Sequence, residues 1–198
     1  MFVITVDQVD SSHTRDAVGD ALARLADRVL VLPAERTAGD EFQMLIDDAA
    51  TTLATILDLT RTGRWSVGCG VGAVRTPLPS SIREAAGPAF IAARAAVDRA
   101  KKRPSRFALE APDAMDGAAR LEAIIDLLLA TRARRSPEGW QLFDLLESGL
   151  TQAAAAARLG ISPQAASLRA QAADLRVETA VTAALVTLLA QLDAEATA

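Results

Sequence analysis

The chain has 198 residues, a formal net charge of −4 and an apolar fraction of 51%, which suffices for one good core or two small ones and does not indicate a strongly basic nucleic-acid binder. A single cysteine, Cys69, excludes an internal disulfide framework and a cysteine-based zinc site, and a single histidine, His13 in a polar stretch, disfavours histidine-based catalysis. No signal-peptide pattern and no uninterrupted apolar run of membrane-spanning length is present, so we expect a cytoplasmic protein with no membrane partner.

The first apolar segments predict two strands and a hairpin. Residues 1–6 are apolar on both faces, as a central strand is. A helical pattern follows from Asp16, and residues 29–32 form a second apolar run. Gly39-Asp40 is a turn dipeptide between this run and residues 42–46, so the region predicts a β-hairpin.

Three carboxylates flank these strands. Asp7 follows the first strand, and Asp40 and Glu41 lie at the tip of the hairpin. If the two strands are neighbours in one sheet, the three side chains converge. Oxygen ligands without His or Cys suit a hard cation such as Mg²⁺. The alternative is that these residues serve only the turn and the cap of the following helix.

A glycine-rich strand follows a helix that ends near Thr60. Glycines occupy alternate positions 68, 70 and 72 of the strand at residues 65–74. This alternation leaves one face of the strand without side chains, so a neighbouring group approaches the backbone closely. That group is either a packed helix or a ligand over the sheet, and Gly70 is accordingly a candidate nucleotide contact.

The segment that follows completes an α+β pattern. Gly87-Pro88 begins a helix that ends in the basic run 99–103, where cations either match the helix dipole or contact phosphate. Residues 106–110 predict a last strand. We therefore expect residues 1–112 to form a ferredoxin-like, palm-type sheet of about five strands with helices on one face.

The order of these motifs resembles the palm-type core of the GGDEF-type nucleotidyl cyclases, and more closely the SatD family of small bacterial proteins. The resemblance rests on Gly39-Asp40-Glu41-Phe42-Gln43, the early Asp7 and the Gly-Pro-Ala-Phe helix start at residues 87–90. It implies that Asp7 and Glu41 hold a divalent metal, with Asp40 beside them, and that the turn at Gly39 approaches a nucleotide. Ala38 stands where the cyclases have the first glycine, so a domain that binds nucleotide without turnover is the alternative.

The second half, residues 113–198, predicts an all-α domain. A helix at 120–133 is followed by Ser136-Pro137, which opens another helix as N-cap and first-turn residues. Thr151 and Ser162 cap two further helices that are separated by a turn at Gly160. This spacing predicts a helix-turn-helix over residues 151–173.

The string from Thr151 to Arg169 resembles bacterial regulators of the MarR or sigma-factor type, and this resemblance implies double-stranded DNA as a partner. Outward-facing residues of the second helix would contact base edges, and flanking polar residues would contact phosphates. The candidates for base edges are Gln164, Ala165, Ser167 and Leu168, and those for phosphates are Thr151, Ser162, Arg169 and Gln171. Residues 137–198 carry seven acidic and three basic residues, so the alternative is a helical bundle that uses this motif for packing or protein contacts.

The last helix, predicted from residue 175 to 194, carries an apolar stripe that is too long for a small domain to bury alone. We expect it to form a homodimer seam with the 120–133 helix, and packing on the palm-like domain is the alternative. The sequence thus favours a DNA-binding regulator whose first domain binds nucleotide or Mg²⁺. A metal-dependent nucleotidyl transferase and a non-catalytic interaction protein are the other two hypotheses.

Overall fold

The computed structural model describes residues 1–197 and contains five strands and eight α-helices within that range. In chain order these are β1 (Phe2–Gln8), α1 (Val18–Leu25), β2 (Leu32–Ala38), β3 (Glu41–Ile46), α2 (Ala49–Thr60), β4 (Trp65–Val71), α3 (Pro88–Ala100), β5 (Phe107–Glu110), α4 (Met115–Ala133), α5 (Pro137–Glu147), α6 (Gln152–Arg158), α7 (Pro163–Ala172) and α8 (Leu175–Glu195).

The strands form one mixed sheet in the order β2-β3-β1-β4-β5. Strand β1 is antiparallel to both of its neighbours, β3 and β4, whereas β5 is parallel to β4. The first four strands have the ferredoxin-like order, in which β3 lies between β2 and β1, the two strands that α1 connects. The parallel step from β4 to β5 requires a crossover, which is α3. The predicted α+β class is confirmed.

Helices cover both faces of the sheet, which differs from the expected arrangement with helices on one face. A Cβ atom at Gly68 or Gly70 would lie 2.2 Å from the backbone of Val97 or Ala93, so α3 covers the face to which these glycines belong. Side chains of β1 and β3 on the opposite face, such as Ile4, are also fully buried. Helix α2, which contacts β1, β3 and β4, covers that face. The second layer arises because a parallel crossover must pass over one face of the sheet.

The second strand begins later than predicted. Residues 29–31 lie outside β2, and Val29 is exposed. Strand β2 instead pairs with β3 from Leu32 to Ala38, and its last residue is opposite Glu41. Gly39 and Asp40 form the two-residue turn, and Gly39 has φ +51°. Hairpin pairing, rather than apolar content, therefore defines this edge strand.

The chain divides into two compact units. Unit 1 comprises Met1–Asp126 and Leu185–Ala198, and unit 2 comprises Leu127–Ala184. The predicted division at residue 112 therefore differs from the division in the structure. The first half of α4 and the second half of α8 belong to the unit that contains the sheet.

Ion pairs within unit 1 explain why its first segment extends into α4, as far as Asp126. Glu122 of α4 is buried and accepts hydrogen bonds from Arg99 and Arg103, each at 2.6 Å. The same carboxylate accepts the backbone N–H of Leu109 at 2.7 Å, on β5, the last strand of the sheet. At the other end of the chain, the Met1 amino group pairs with Asp193 of α8. No local sequence pattern predicts these contacts, because the partners lie 13 or more positions apart along the chain.

Unit 2 contains a small core shared by α5, α6 and α7. Leu142 and Ala155 are fully buried in this core, together with Ala173. A buried ion cluster lies in the same unit: Glu178 pairs with both Arg132 and Arg135. Aromatic side chains of α5 support the cluster, and both guanidinium groups lie within 4.5 to 5.3 Å of the ring centres of Trp140 and Phe143. Buried charges of this kind persist because each is paired.

Helix α8 is the one helix within residues 1–197 whose length and composition also suit a membrane span. Only 28% of the apolar window is buried. Its predicted stripe is divided between two environments, because Leu185 and Leu192 are buried whereas Val177 and Leu188 are exposed. Intramolecular packing thus uses one side of the helix and leaves part of the apolar surface open.

Candidate functional site

Asp7 and Glu41 lie side by side on the sheet. They are register partners on the antiparallel strands β1 and β3, so both side chains project from the same face. The side chain of Asp7 is 17% exposed and that of Glu41 is 6% exposed. The structure therefore brings together the two carboxylates that the resemblance implies as metal ligands.

Helix α3 supplies a cation to each carboxylate. Lys101 Nζ lies 2.8 Å from Asp7 Oδ2, and Arg94 forms an ion pair with Glu41. Thr37 Oγ1 also donates a hydrogen bond of 2.9 Å to Glu41 Oε1. Arg94 and Lys101 are seven residues apart, which places them on one side of the helix. That spacing is the signal by which sequence reasoning could have identified these partners.

The electrostatics of this pocket favour the charged form of Lys101. Partial burial acts against the ammonium ion, but the hydrogen bond to Asp7 and the nearby charges of Asp7, Asp98 and Glu41 outweigh it and raise the pKa of Lys101. Each of the two carboxylates is therefore paired with a partly exposed cation.

Asp40 does not join this pair to make a three-carboxylate centre. Within residues 1–197, no group of three or more His, Cys, Asp or Glu side chains is positioned to hold a metal ion. Asp40 is half-buried in the turn, where its carbonyl accepts the N–H of Gln8 at 3.2 Å. Two carboxylates are still a donor set that Mg²⁺ accepts when substrate phosphates and water complete its shell. Mg²⁺ at Asp7, Asp40 and Glu41 remains a prediction.

The two glycines chosen as nucleotide contacts have different surroundings. A Cβ atom at Gly39 would meet nothing within 4 Å, so this side of the turn is open, although the Gly39 carbonyl accepts a hydrogen bond of 2.7 Å from Arg36. At Gly70 a Cβ atom would lie 2.2 Å from Ala89 O and from Ala93 N. Helix α3 occupies this space and leaves none for a nucleotide. Helix packing therefore accounts for Gly70, which is a correction to the ligand hypothesis at this residue.

A second candidate site lies on α6 and α7 in unit 2. Thr151 and Ser162 cap these helices, and their hydroxyl oxygens accept the N–H groups of Ala154 and Ala165 at 3.2 and 3.1 Å. Ala156 and Ala166 are buried, which agrees with the small residues expected where two helices cross. Gly160 has φ +66° in the connecting turn. The predicted pair of helices and their turn are therefore present.

The outer surface of α7 is polar with one apolar side chain. Arg169 is half-buried. The other candidate residues of α7 are exposed, namely Gln164, Ala165, Ser167, Leu168 and Gln171. The side chain of Leu168 is 61% exposed. Hydrogen bonds from the Glu138 backbone and from Ser136 lower the pKa of the Glu138 carboxyl of α5, and the charge of Arg169 adds to this effect.

No family model, curated protein or solved structure matches this chain.

Proposed function

We propose that the protein is a cytoplasmic DNA-binding regulator in which α7 contacts duplex DNA and the sheet domain binds a nucleotide. The observation that carries this proposal is the exposed face at the start of α7, held on a core of α5, α6 and α7. A helix that reads DNA must present side chains into the major groove while its other side is anchored. The first two turns of α7 are exposed on one side and anchored on the other, which supports the proposal.

The residues of α7 suit two kinds of contact. Gln164 can form two hydrogen bonds with adenine, Ser167 can bond to any base, and Leu168 and Ala165 can pack against a thymine methyl group. Thr151 and Ser162 use their hydroxyl oxygens as caps and keep O–H donors for phosphate. Arg169 and Gln171 extend the phosphate contacts along the helix.

The test measures binding to duplex DNA that carries the promoter of the protein's own gene. Fluorescence anisotropy gives the dissociation constant at several salt concentrations. Arg169→Ala should weaken binding to all sequences and reduce the salt slope by roughly one. Gln164→Ala should cost about 1–3 kcal/mol on the preferred sequence and relax the preference at one position.

Two matched variants serve as controls. Arg24→Ala removes an exposed arginine from α1, and Gln141→Ala removes an exposed glutamine from α5; both should bind like the unaltered protein. Absence of salt-dependent binding, or equal losses in the controls, would exclude the DNA-binding proposal.

A second candidate function is metal-dependent nucleotidyl transfer, and the adjacent Asp7 and Glu41 favour it. A bound divalent ion would neutralise charge on the triphosphate and orient it for attack. Asp7 and Glu41 would hold that ion. Lys101 and Arg94, freed from the carboxylates, would pair with the phosphates. The exposed backbone at Gly39 would lie next to the nucleotide.

This function is tested with nucleoside triphosphates and Mg²⁺, by measuring both product formation and the shift of the melting temperature on binding. Asp7→Asn should abolish both. Asp10→Asn is the matched control, because Asp10 is exposed and its φ of 52° is one that asparagine tolerates. A melting shift without turnover supports a nucleotide sensor, whereas no shift and no turnover would leave the sheet domain as a scaffold.

A further inference from the structure

A groove lies within unit 1 between the first half of α4 and the second half of α8. Its volume is about 220 Å³. Leu121 of α4 and Leu192 of α8 are buried beneath it and form its floor. The rims are formed by three residues from each helix: Gly117, Arg120 and Ile124 of α4, and Leu188, Gln191 and Glu195 of α8.

The rim residues have the spacing of a helical seam. On both helices they follow the pattern i, i+3, i+7, which is the a/d repeat by which helices pack on a partner helix. Ile124 is 40% exposed and Leu188 is 39% exposed, so the apolar members of these seams lack a partner within the unit. Neighbouring positions, such as Ile125 and Leu189, already serve the intramolecular packing. Each helix therefore keeps one large apolar side chain exposed at a seam position, Ile124 on α4 and Leu188 on α8.

The charges on the rims are arranged for self-association. Arg120 and Glu195 lie at the same end of the groove, because Gly117, one turn before Arg120, approaches both Leu192 and Glu195. Among residues 1–197, no ion pair is formed by either Arg120 or Glu195. In a two-fold symmetric interface, a contact between residue i of one subunit and residue j of the other is repeated between residue j of the first and residue i of the second. A two-fold axis parallel to the helices would place Arg120 against Glu195 of the partner subunit, twice.

We propose that a second copy of the chain covers this groove, so that α4 and α8 of each subunit form a four-helix interface. Ile124 and Leu188 lie at its centre, and the Arg120–Glu195 pairs lie at its end. The second copy is the occupant that supplies both the complementary a/d spacing and the complementary charges. The observations that support this interface all lie in unit 1, so it stands even if the protein does not bind DNA.

The test is the oligomeric state of the full chain, measured by sedimentation velocity over a range of concentrations. Arg120→Glu replaces each of the two ion pairs by two facing acids, and Glu195→Arg replaces each by two facing arginines. Each variant alone should raise the dimer dissociation constant by about tenfold or more, since facing like charges repel. An equimolar mixture of the two variants should restore dimers, because each glutamate then meets an arginine of the partner.

The mixing experiment separates an interface from a structural effect, since an ion pair within one subunit cannot be rescued by a second chain. Circular dichroism should show that both variants keep their helical content. Ile124→Glu should also dissociate the dimer, whereas Ile91→Glu, at an exposed position of α3, should not. A monomeric unaltered protein, dimers that ignore all of these changes, or mixed variants that remain monomeric would each overturn the proposal.

Discussion

Gly70 illustrates how one residue can be interpreted in two ways from the sequence. Alternating glycines indicate that a group approaches the strand closely, but a helix and a ligand impose the same requirement. The structure distinguishes them, because the atoms within 2.2 Å of a Cβ at Gly70 belong to the backbone of α3. Backbone atoms cannot move aside as the end of a side chain can.

Gly70→Ala should therefore destabilise the protein by about 3 kcal/mol or more, as overpacking against a rigid neighbour does. The measurement is the free energy of unfolding in urea. Gly19→Ala in α1 is the matched control, because a Cβ there meets nothing within 4 Å; this change should be neutral or stabilise by up to about 1 kcal/mol. Equal effects of the two substitutions would contradict the packing explanation.

At the scale of the element, helix caps account for much of the agreement with the sequence. Asp48 caps α2, and its carboxylate accepts the N–H of Thr51 at 2.6 Å. Hydrogen bonds from the side chain and the backbone of Thr51 lower the pKa of Asp48 from its usual value of 3.8. Asp47 and Asp48 both precede α2, and the structure assigns the capping role to Asp48.

Asp48→Ala should cost about 1 kcal/mol of unfolding free energy at neutral pH, as the loss of an N-cap does. Because the pKa of Asp48 is lowered in the folded state, its contribution is complete above pH 3.8 and is lost as the pH falls through the lower, folded-state pKa. Unfolding experiments from neutral to acid pH measure both effects. Asp47→Ala, at the neighbouring exposed position, should leave the profile unchanged.

Buried charge is the second element-scale feature. Glu178, in the first turns of α8, is the shared partner of Arg132 and Arg135. Glu178→Gln should destabilise unit 2 by about 3–5 kcal/mol, because it removes the buried negative charge that pairs with both Arg132 and Arg135. Chemical denaturation followed by tryptophan fluorescence reports this loss through Trp140. Glu147→Gln, at an exposed position of α5, should have little effect; a similar loss there would contradict the role of burial.

At the scale of the whole molecule, net charge limits how the protein can bind DNA. A chain of charge −4 gains little from long-range attraction to phosphate. A dimer doubles the number of phosphate contacts and allows two half-sites to be read together.

The proposed interface and the proposed DNA contact should therefore be coupled. Arg120→Glu should weaken binding to promoter DNA and roughly halve its salt slope, since half of the phosphate contacts are lost. Adding the Glu195→Arg variant should restore both, and electrophoretic mobility would show the complex of two chains on one duplex. Unchanged DNA affinity in a monomeric variant would show that a single subunit suffices.

The sequence by itself determined the features that depend on a few neighbouring residues. The Gly39-Asp40 turn, the caps at Thr151 and Ser162 and the turn at Gly160 were all predictable, because their hydrogen bonds join residues that are near neighbours in the sequence. The α+β class followed from the same local signals taken in order.

Only the tertiary structure decided which residues meet across the fold. Lys101 reaches Asp7, Glu122 reaches β5, and α3 covers Gly70, because the crossover from β4 to β5 passes over that face of the sheet. Those contacts join residues separated by 13 or more positions along the chain. No local pattern specifies them, since they depend on strand order and on the direction in which each helix packs.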